Sequence, residues 1–106
     1  DRLLPVFSPA GADLVVCGHT HMQFRREIGG VEVANAGSVG MPFGEPGAFW
    51  ALVSSDGVEL RQTDYDLHAA TERCKASGYP DAHLLRLEDP PEAESMLQAF
   101  EAAALR

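Results

Sequence analysis

Basic residues are scarce in this sequence. Lysine and arginine number 8 against 16 aspartates and glutamates, a formal charge of −8 over 106 residues. A protein that grips the nucleic-acid backbone needs a basic stripe to displace counterions, and none is present. An anionic membrane surface would repel the same charge. Long apolar runs are also missing, none approaching the ~18 residues of a spanning helix. Cysteine is rare. Cys17 and Cys74 lack a CxxC partner, so both read as reduced thiols of a cytoplasmic protein, with a disulfide between their two elements left open. The chain opens on Asp1, in the middle of a pattern: Asp1-Arg2-Leu3-Leu4-Pro5-Val6-Phe7 reads as the tail of a helix. The 106 residues are therefore expected to be one portion of a single domain.

What is present is an ordinary apolar fraction of 45% and one stretch that stands apart, Gly18-His19-Thr20-His21. It is preceded by Ala12-Asp13-Leu14-Val15-Val16-Cys17, a short apolar, β-branched run. Such a run closed by glycine predicts a strand over 13–17, buried on both faces. In extended backbone, side chains at i and i+2 point the same way. The two imidazoles are thus expected side by side at the strand tip, as candidate metal ligands and catalytic residues. Two ligands do not complete a site, since zinc-like ions take at least three from the protein. A solvent-facing or hydrogen-bonded histidine pair is the competing reading.

The rest of the chain divides into recognisable pieces. Residues 1–8 predict a short amphipathic helix, with Asp1 able to cap and Pro5 tolerable in the first turn. A helix feeding a buried strand is an α/β half-unit and implies parallel neighbours. Gly29-Gly30 between two alternating stretches signals a hairpin. Arg25 and Arg26 could meet a phosphate, although such a pair is more often a solvated strand edge. The stretch from Asn35 to Gly47 is rich in glycine and proline and too long for a tight turn, as functional loops often are. Strands follow at 48–53 and 58–65, so that 22–66 reads as an antiparallel meander. Asp66 or its neighbour caps a helix over 67–76, ending at Ser77-Gly78. A last helix, entered through Pro90-Pro91, carries the apolar stripe Met96, Leu97, Phe100, Ala103 and Ala104, read as packing surface. His68 and His83 have no ligand spacing to anything.

Together, the strand with Gly18-His19-Thr20-His21, then Asn35-Ala36-Gly37-Ser38, then Tyr65-Asp66 before a helix, resemble the calcineurin-like metallophosphoesterases, in particular the small prokaryotic phosphodiesterases. The resemblance covers roughly residues 12–78. It implies an α/β fold, part of a four-layer α/β/β/α sandwich made here of the buried strand, the meander and a helical tail over 67–106. It implies a site of two divalent metal ions (Mn, Fe, Ni or Zn), with His19 binding one and His21 the other. Asn35, Gly37 and Ser38 would match the family's Asn-Pro-Gly-Ser loop near the substrate, with Ala36 in place of proline. The family's earlier motifs, Asp-x-His, Gly-Asp-x-x-Asp and Gly-Asn-His-Asp/Glu, are not in these residues. The implied partners are a small phosphoester substrate and a missing N-terminal half of the same domain, with a homo-oligomer possible.

Two rivals stand beside this. A cupin-like site would use His19, His21 and Glu27, but the spacing is too long and no later histidine motif follows. A non-catalytic remnant or interaction module, with an empty or minor metal site, is the alternative from another class.

Overall fold

The computed structural model describes residues 2–104. The backbone is a mixed α/β arrangement of two small sheets and three α-helices. Helix α1 (Leu4–Phe7) runs into a 3-10 turn over Ser8–Ala10. Pro5 sits in the first turn, where its missing N–H costs nothing. The N-cap is Leu3, without a side-chain cap; the capping role expected of Asp1 lies outside the described residues. Strand β1 (Leu14–Cys17) then pairs in parallel with β3 (Val31–Asn35), whose other edge takes β2 (Phe24–Ile28) antiparallel. The spatial order is β1-β3-β2. The parallel neighbour that β1 requires comes from downstream in the chain.

Gly29 and Gly30 turn β2 into β3 with φ of 57° and 82°. Two successive left-handed residues match the twist of the flanking strands, and glycine adopts them without strain. A side chain at position 29 would also collide with Leu4, since a Cβ there would lie 2.6 Å from its Cδ2.

The register assigns the faces. Val15, Cys17, Val31, Val33 and Ile28 share one face, and Leu3 and Phe7 pack over it. This is the principal core, with Val33 at 1% exposure and Ile28 at 2%. The Cys17 thiol donates to the carbonyl of Ala34 at 3.4 Å, and burial raises its pKa, so the thiolate is disfavoured. The other face carries Leu14, Val16, Arg25, Glu27 and Glu32. Here β1 departs from the expectation of burial on both faces: Val16 is 47% exposed. That face of the sheet is wet: on it Arg25 of β2 pairs with Glu32 of β3 across the diagonal.

Strands β4 (Ala48–Ser54) and β5 (Gly57–Thr63) form a separate two-stranded sheet. The expected continuous meander over 22–66 is therefore two hairpins in two sheets. Both edges of β3 are taken, by β1 and β2, so β4 has no edge of it to pair with. Phe49 and Trp50 are half-buried on opposite faces; the Trp50 indole donates to Thr63 Oγ1 at 2.9 Å and lies under the Arg61 guanidinium.

Helix α2 (Leu67–Ala76) is capped by Asp66, whose Oδ1 accepts from the Ala69 N–H. Helix α3 (Ala93–Ala104) is held by the Gly44 N–H donating to the Pro91 carbonyl and by an Arg2–Glu101 ion pair. Its expected packing stripe is only half covered: Met96 and Phe100 are half-buried and Leu97 is 47% exposed. Accessible surface totals 7104 Å², against about 5,800 Å² for a compact protein of this mass. The radius of gyration is 16.1 Å, against about 13 Å for a compact domain of this length. Much apolar surface is therefore left without cover.

The one-sided core gives a direct expectation. Ile28→Ala should lower the unfolding free energy by about 2–5 kcal/mol in urea titrations followed by circular dichroism. Val16→Ala on the opposite face should change it by no more than about 0.5 kcal/mol. Equal losses would mean that both faces are packed.

Candidate metal centre

The parallel register decides where the histidines go. Cys17 lies beside Asn35, so the segments leaving β1 and β3 emerge at the same end of the sheet. One carries Gly18-His19-Thr20-His21; the other carries Asn35-Ala36-Gly37-Ser38. In parallel sheets this carboxyl end is where ligands bind.

Asn35 joins the two segments. It is fully buried, and its amide nitrogen donates to the Gly18 carbonyl at 2.9 Å and to Thr20 Oγ1 at 3.0 Å. Its Oδ1 accepts from the Gly37 N–H at 2.9 Å. Every polar atom of the side chain is used. Gly37 has φ 84°, and a Cβ there would lie 2.8 Å from both Gln23 and Phe49. Ser38 Oγ accepts from the Met41 N–H at 2.9 Å. The three residues read from sequence as a substrate loop thus have definite local work: Asn35 latches the histidine segment, Gly37 allows close approach, and Ser38 shapes the turn to Met41.

The histidines are not in extended backbone. His19 has φ 76° and His21 φ 60°, so the expected i, i+2 strand geometry is corrected to a turn beyond the strand. Left-handed non-glycine residues cost on the order of 1–2 kcal/mol each, and such strain concentrates at functional sites. His19 is exposed and His21 half-buried.

Met41 and Phe43 fix the ring of His21. Its Nδ1–H donates to the Met41 carbonyl at 2.8 Å. A carbonyl only accepts, so the proton sits on Nδ1 and a neutral ring keeps its lone pair on Nε2. This is how a carbonyl orients a metal-ligating imidazole. Phe43 stacks on the same ring at 4.7 Å between centroids and 16° between planes, and its N–H donates to the His21 carbonyl. Phe100 of α3 lies 5.8 Å from the His19 ring and 6.3 Å from Phe43. The two imidazoles therefore flank one aromatic cluster. A cavity of ≈380 Å³ opens beside His21, with Phe43, Glu45 and Phe49 in its wall.

Three contributors escaped the sequence reading. Gln23 donates through its amide to the carbonyls of Ala36, Trp50 and Arg61, tying the histidine segment to both sheets. Phe43 and the Met41 carbonyl are the other two. A backbone acceptor has no side-chain signature, and a glutamine in an alternating stretch looks like any wet strand residue.

Elsewhere, Arg25 pairs with Glu32, and His68 faces Glu88 at 3.4 Å while 75% exposed. Cys17 and Cys74 are free thiols. Among the described residues no group of three or more His, Cys, Asp and Glu gathers as a metal site. The candidate donor set is thus two imidazoles, His19 and His21. Their nitrogen chemistry fits a divalent first-row ion, but their number does not fill its coordination.

The fold and this turn define an α/β protein that carries two imidazoles beyond the carboxyl end of a parallel strand pair. The model of the calcineurin-like phosphoesterase superfamily domain matches residues 2–57, just over half of the chain. The chain belongs to that superfamily, whose members bind divalent metals and hydrolyse phosphoesters. No curated protein and no solved structure matches it significantly.

The Asn35 latch can be tested by charge. Asn35→Ala should cost about 1–3 kcal/mol, by removing the buried amide's hydrogen bonds to Gly18, Thr20 and Gly37. Asn35→Asp should cost more at neutral pH, because a buried carboxylate would face the Gly18 carbonyl. Burial raises the folded-state pKa of such an acid, so its penalty is absent below the unfolded value of about 4 and grows as pH rises. Urea unfolding of the Asp variant at pH 4 and pH 7 checks this; a penalty independent of pH would mean that the side chain is not buried.

Proposed function

We propose that His19 and His21 are ligands in a two-metal phosphoester hydrolase, acting on a phosphodiester, and that this chain supplies the last metal-binding motif of that centre. The observation that carries the reading is the Nδ1–H of His21 on the Met41 carbonyl, within the stretch the superfamily model matches. It leaves Nε2 as a fixed neutral donor.

When bound, two divalent ions (Mn, Fe, Ni or Zn) would stabilise negative charge on the phosphoryl oxygens and lower the pKa of a water. The residues of this chain prepare for that. Met41 keeps the His21 proton on Nδ1, away from the ligand side. Phe43 restricts the ring plane and shields one face of it from water. Asn35 holds Gly18 and Thr20, and with them the backbone that carries both histidines. Asn35, Gly37 and Ser38 border the substrate in this reading through the loop they shape. The four-layer sandwich belongs to the same proposal: the uncovered strand face and the unmet coordination positions are where further polypeptide, with carboxylate ligands, would add.

A second reading, a non-catalytic module, is favoured by the lack of a three-residue donor cluster among the described residues. Metal titration separates the two. Mn²⁺ or Ni²⁺ added to the chain should perturb the imidazole resonances of His19 and His21 and leave those of His68 and His83 unchanged. His21→Ala should weaken the affinity by more than about tenfold, at least the loss seen when outer-shell partners are removed, with unchanged circular dichroism. In an assembly with a full ligand set, His19→Ala and His21→Ala should abolish phosphodiester hydrolysis. Unaltered metal affinity in both variants would sink the assignment.

A further inference from the structure

The two histidines share a left-handed backbone but not a side-chain environment. His21 is held twice, by the Met41 carbonyl at its Nδ1 and by Phe43 stacked on its ring. His19 is exposed, and among the described residues no hydrogen bond reaches its ring. What it does meet is Phe100, 5.8 Å away between centroids and tilted by 55°. That distance and tilt are those of a favourable aromatic pair. Phe100 in turn lies 6.3 Å from Phe43, so one ring of α3 joins the aromatic cluster from the His19 side.

Helix α3 brings that ring from far along the chain. It lies beyond residues 2–57, the stretch the superfamily model matches. Its attachment is light. None of its described residues is buried, and Leu97 is 47% exposed. A gap of ≈370 Å³ remains between it and the histidine segment, with Thr20, Met22, Phe24, Leu97 and Phe100 in its wall. The segment entering it is tied by the Gly44 N–H on the Pro91 carbonyl at 2.8 Å, and its last turns by the Arg2–Glu101 pair, whose side chains are both more than half exposed. A helix of 12 residues is marginal alone in water, so its docking and its helicity stand or fall together. An unrestrained imidazole on an exposed turn samples several rotamers, and fixing it costs entropy when a ligand binds. A ring packed on it beforehand removes part of that cost.

We propose that Phe100 is the positioning residue of His19: docked α3 sets its ring against that imidazole and orders it, as Phe43 orders His21. The proposal rests on the reading of both histidines as metal ligands. It gives the centre one donor fixed within the matched stretch and one that depends on α3. Linkage makes the dependence reciprocal: whatever docked α3 adds to metal affinity at His19, bound metal adds to the docking of α3.

Zn²⁺, which is diamagnetic, is the probe for nuclear magnetic resonance of the whole chain at about pH 8, where imidazole is neutral. Without metal, the ring protons of His19 and Phe100 should cross-relax. Phe100→Ala should shift the His19 ring resonances and leave those of His68 in place. The same variant should bind Zn²⁺ about threefold more weakly, the scale of one aromatic pair. Phe100→Tyr, which keeps the ring, should restore the affinity. Phe100→Leu, which keeps an apolar contact for the helix without the ring, should not. Amide exchange over 93–104 should slow when Zn²⁺ binds the wild-type chain and should not respond in Phe100→Ala.

His19 resonances unmoved by Phe100→Ala overturn the positioning contact and leave the histidine reading intact. Full restoration by Phe100→Leu overturns the ring as the positioning group. Zn²⁺ bound at both histidines with unchanged exchange over 93–104 overturns the coupling to α3. A chain in which Phe100→Ala moves His19 but neither histidine takes Zn²⁺ overturns the link to a metal centre and locates the failure in the histidine reading.

Discussion

The buried amide of Asn35 is the interaction on which the rest of the site depends. It stands at the end of β3 beside Cys17, where two segments leave the sheet in the same direction. Its nitrogen holds one segment at Gly18 and Thr20, and its oxygen holds the other at Gly37. A parallel pair without such a tie would release two loops into solvent. With it, they become one surface, and His21 reaches the Met41 carbonyl across them.

That surface holds strained backbone. Left-handed conformations at His19 and His21 cost together on the order of 2–4 kcal/mol, while each surrounding hydrogen bond returns roughly 1 kcal/mol. The two sides nearly balance, so the turn persists because several small contributions act at once. Phe43 adds stacking to a ring that Met41 already orients, and Gln23 secures the start of β2 to three carbonyls. Restricting an imidazole before a ligand arrives lowers the entropy cost of binding.

How much of this was legible in the sequence follows from how local each feature is. Gly29-Gly30 and Asp66 act within a few residues, and both do what their chemistry prescribes. The histidine pair was visible as a candidate because its residue types are rare together. Its backbone was not: the apolar run before it suggested extended structure, and positive φ is seldom encoded by histidine. The two-sheet topology was also hidden. A parallel contact between β1 and β3 joins residues 18 apart at every rung, and occupying both edges of β3 is what breaks the expected meander. Alternation in the sequence distinguishes faces but not partners, so Val16 read as buried although Arg25 and Glu32 make its face wet.

In the proposed centre, charge explains why the histidine turn could not serve alone. Two neutral imidazoles would fix the position of cations without offsetting any of their charge. A pair of divalent ions brings four positive charges, and compensation requires carboxylates at bonding distance, which the described residues do not gather around His19 and His21. The net charge of −8 is spread over solvated strands and helices and, beyond a Debye length of about 8 Å, is largely screened. What these residues supply to the proposed centre is therefore geometry: a ring whose proton is placed on Nδ1 by the Met41 carbonyl, and a backbone turn that Asn35 holds.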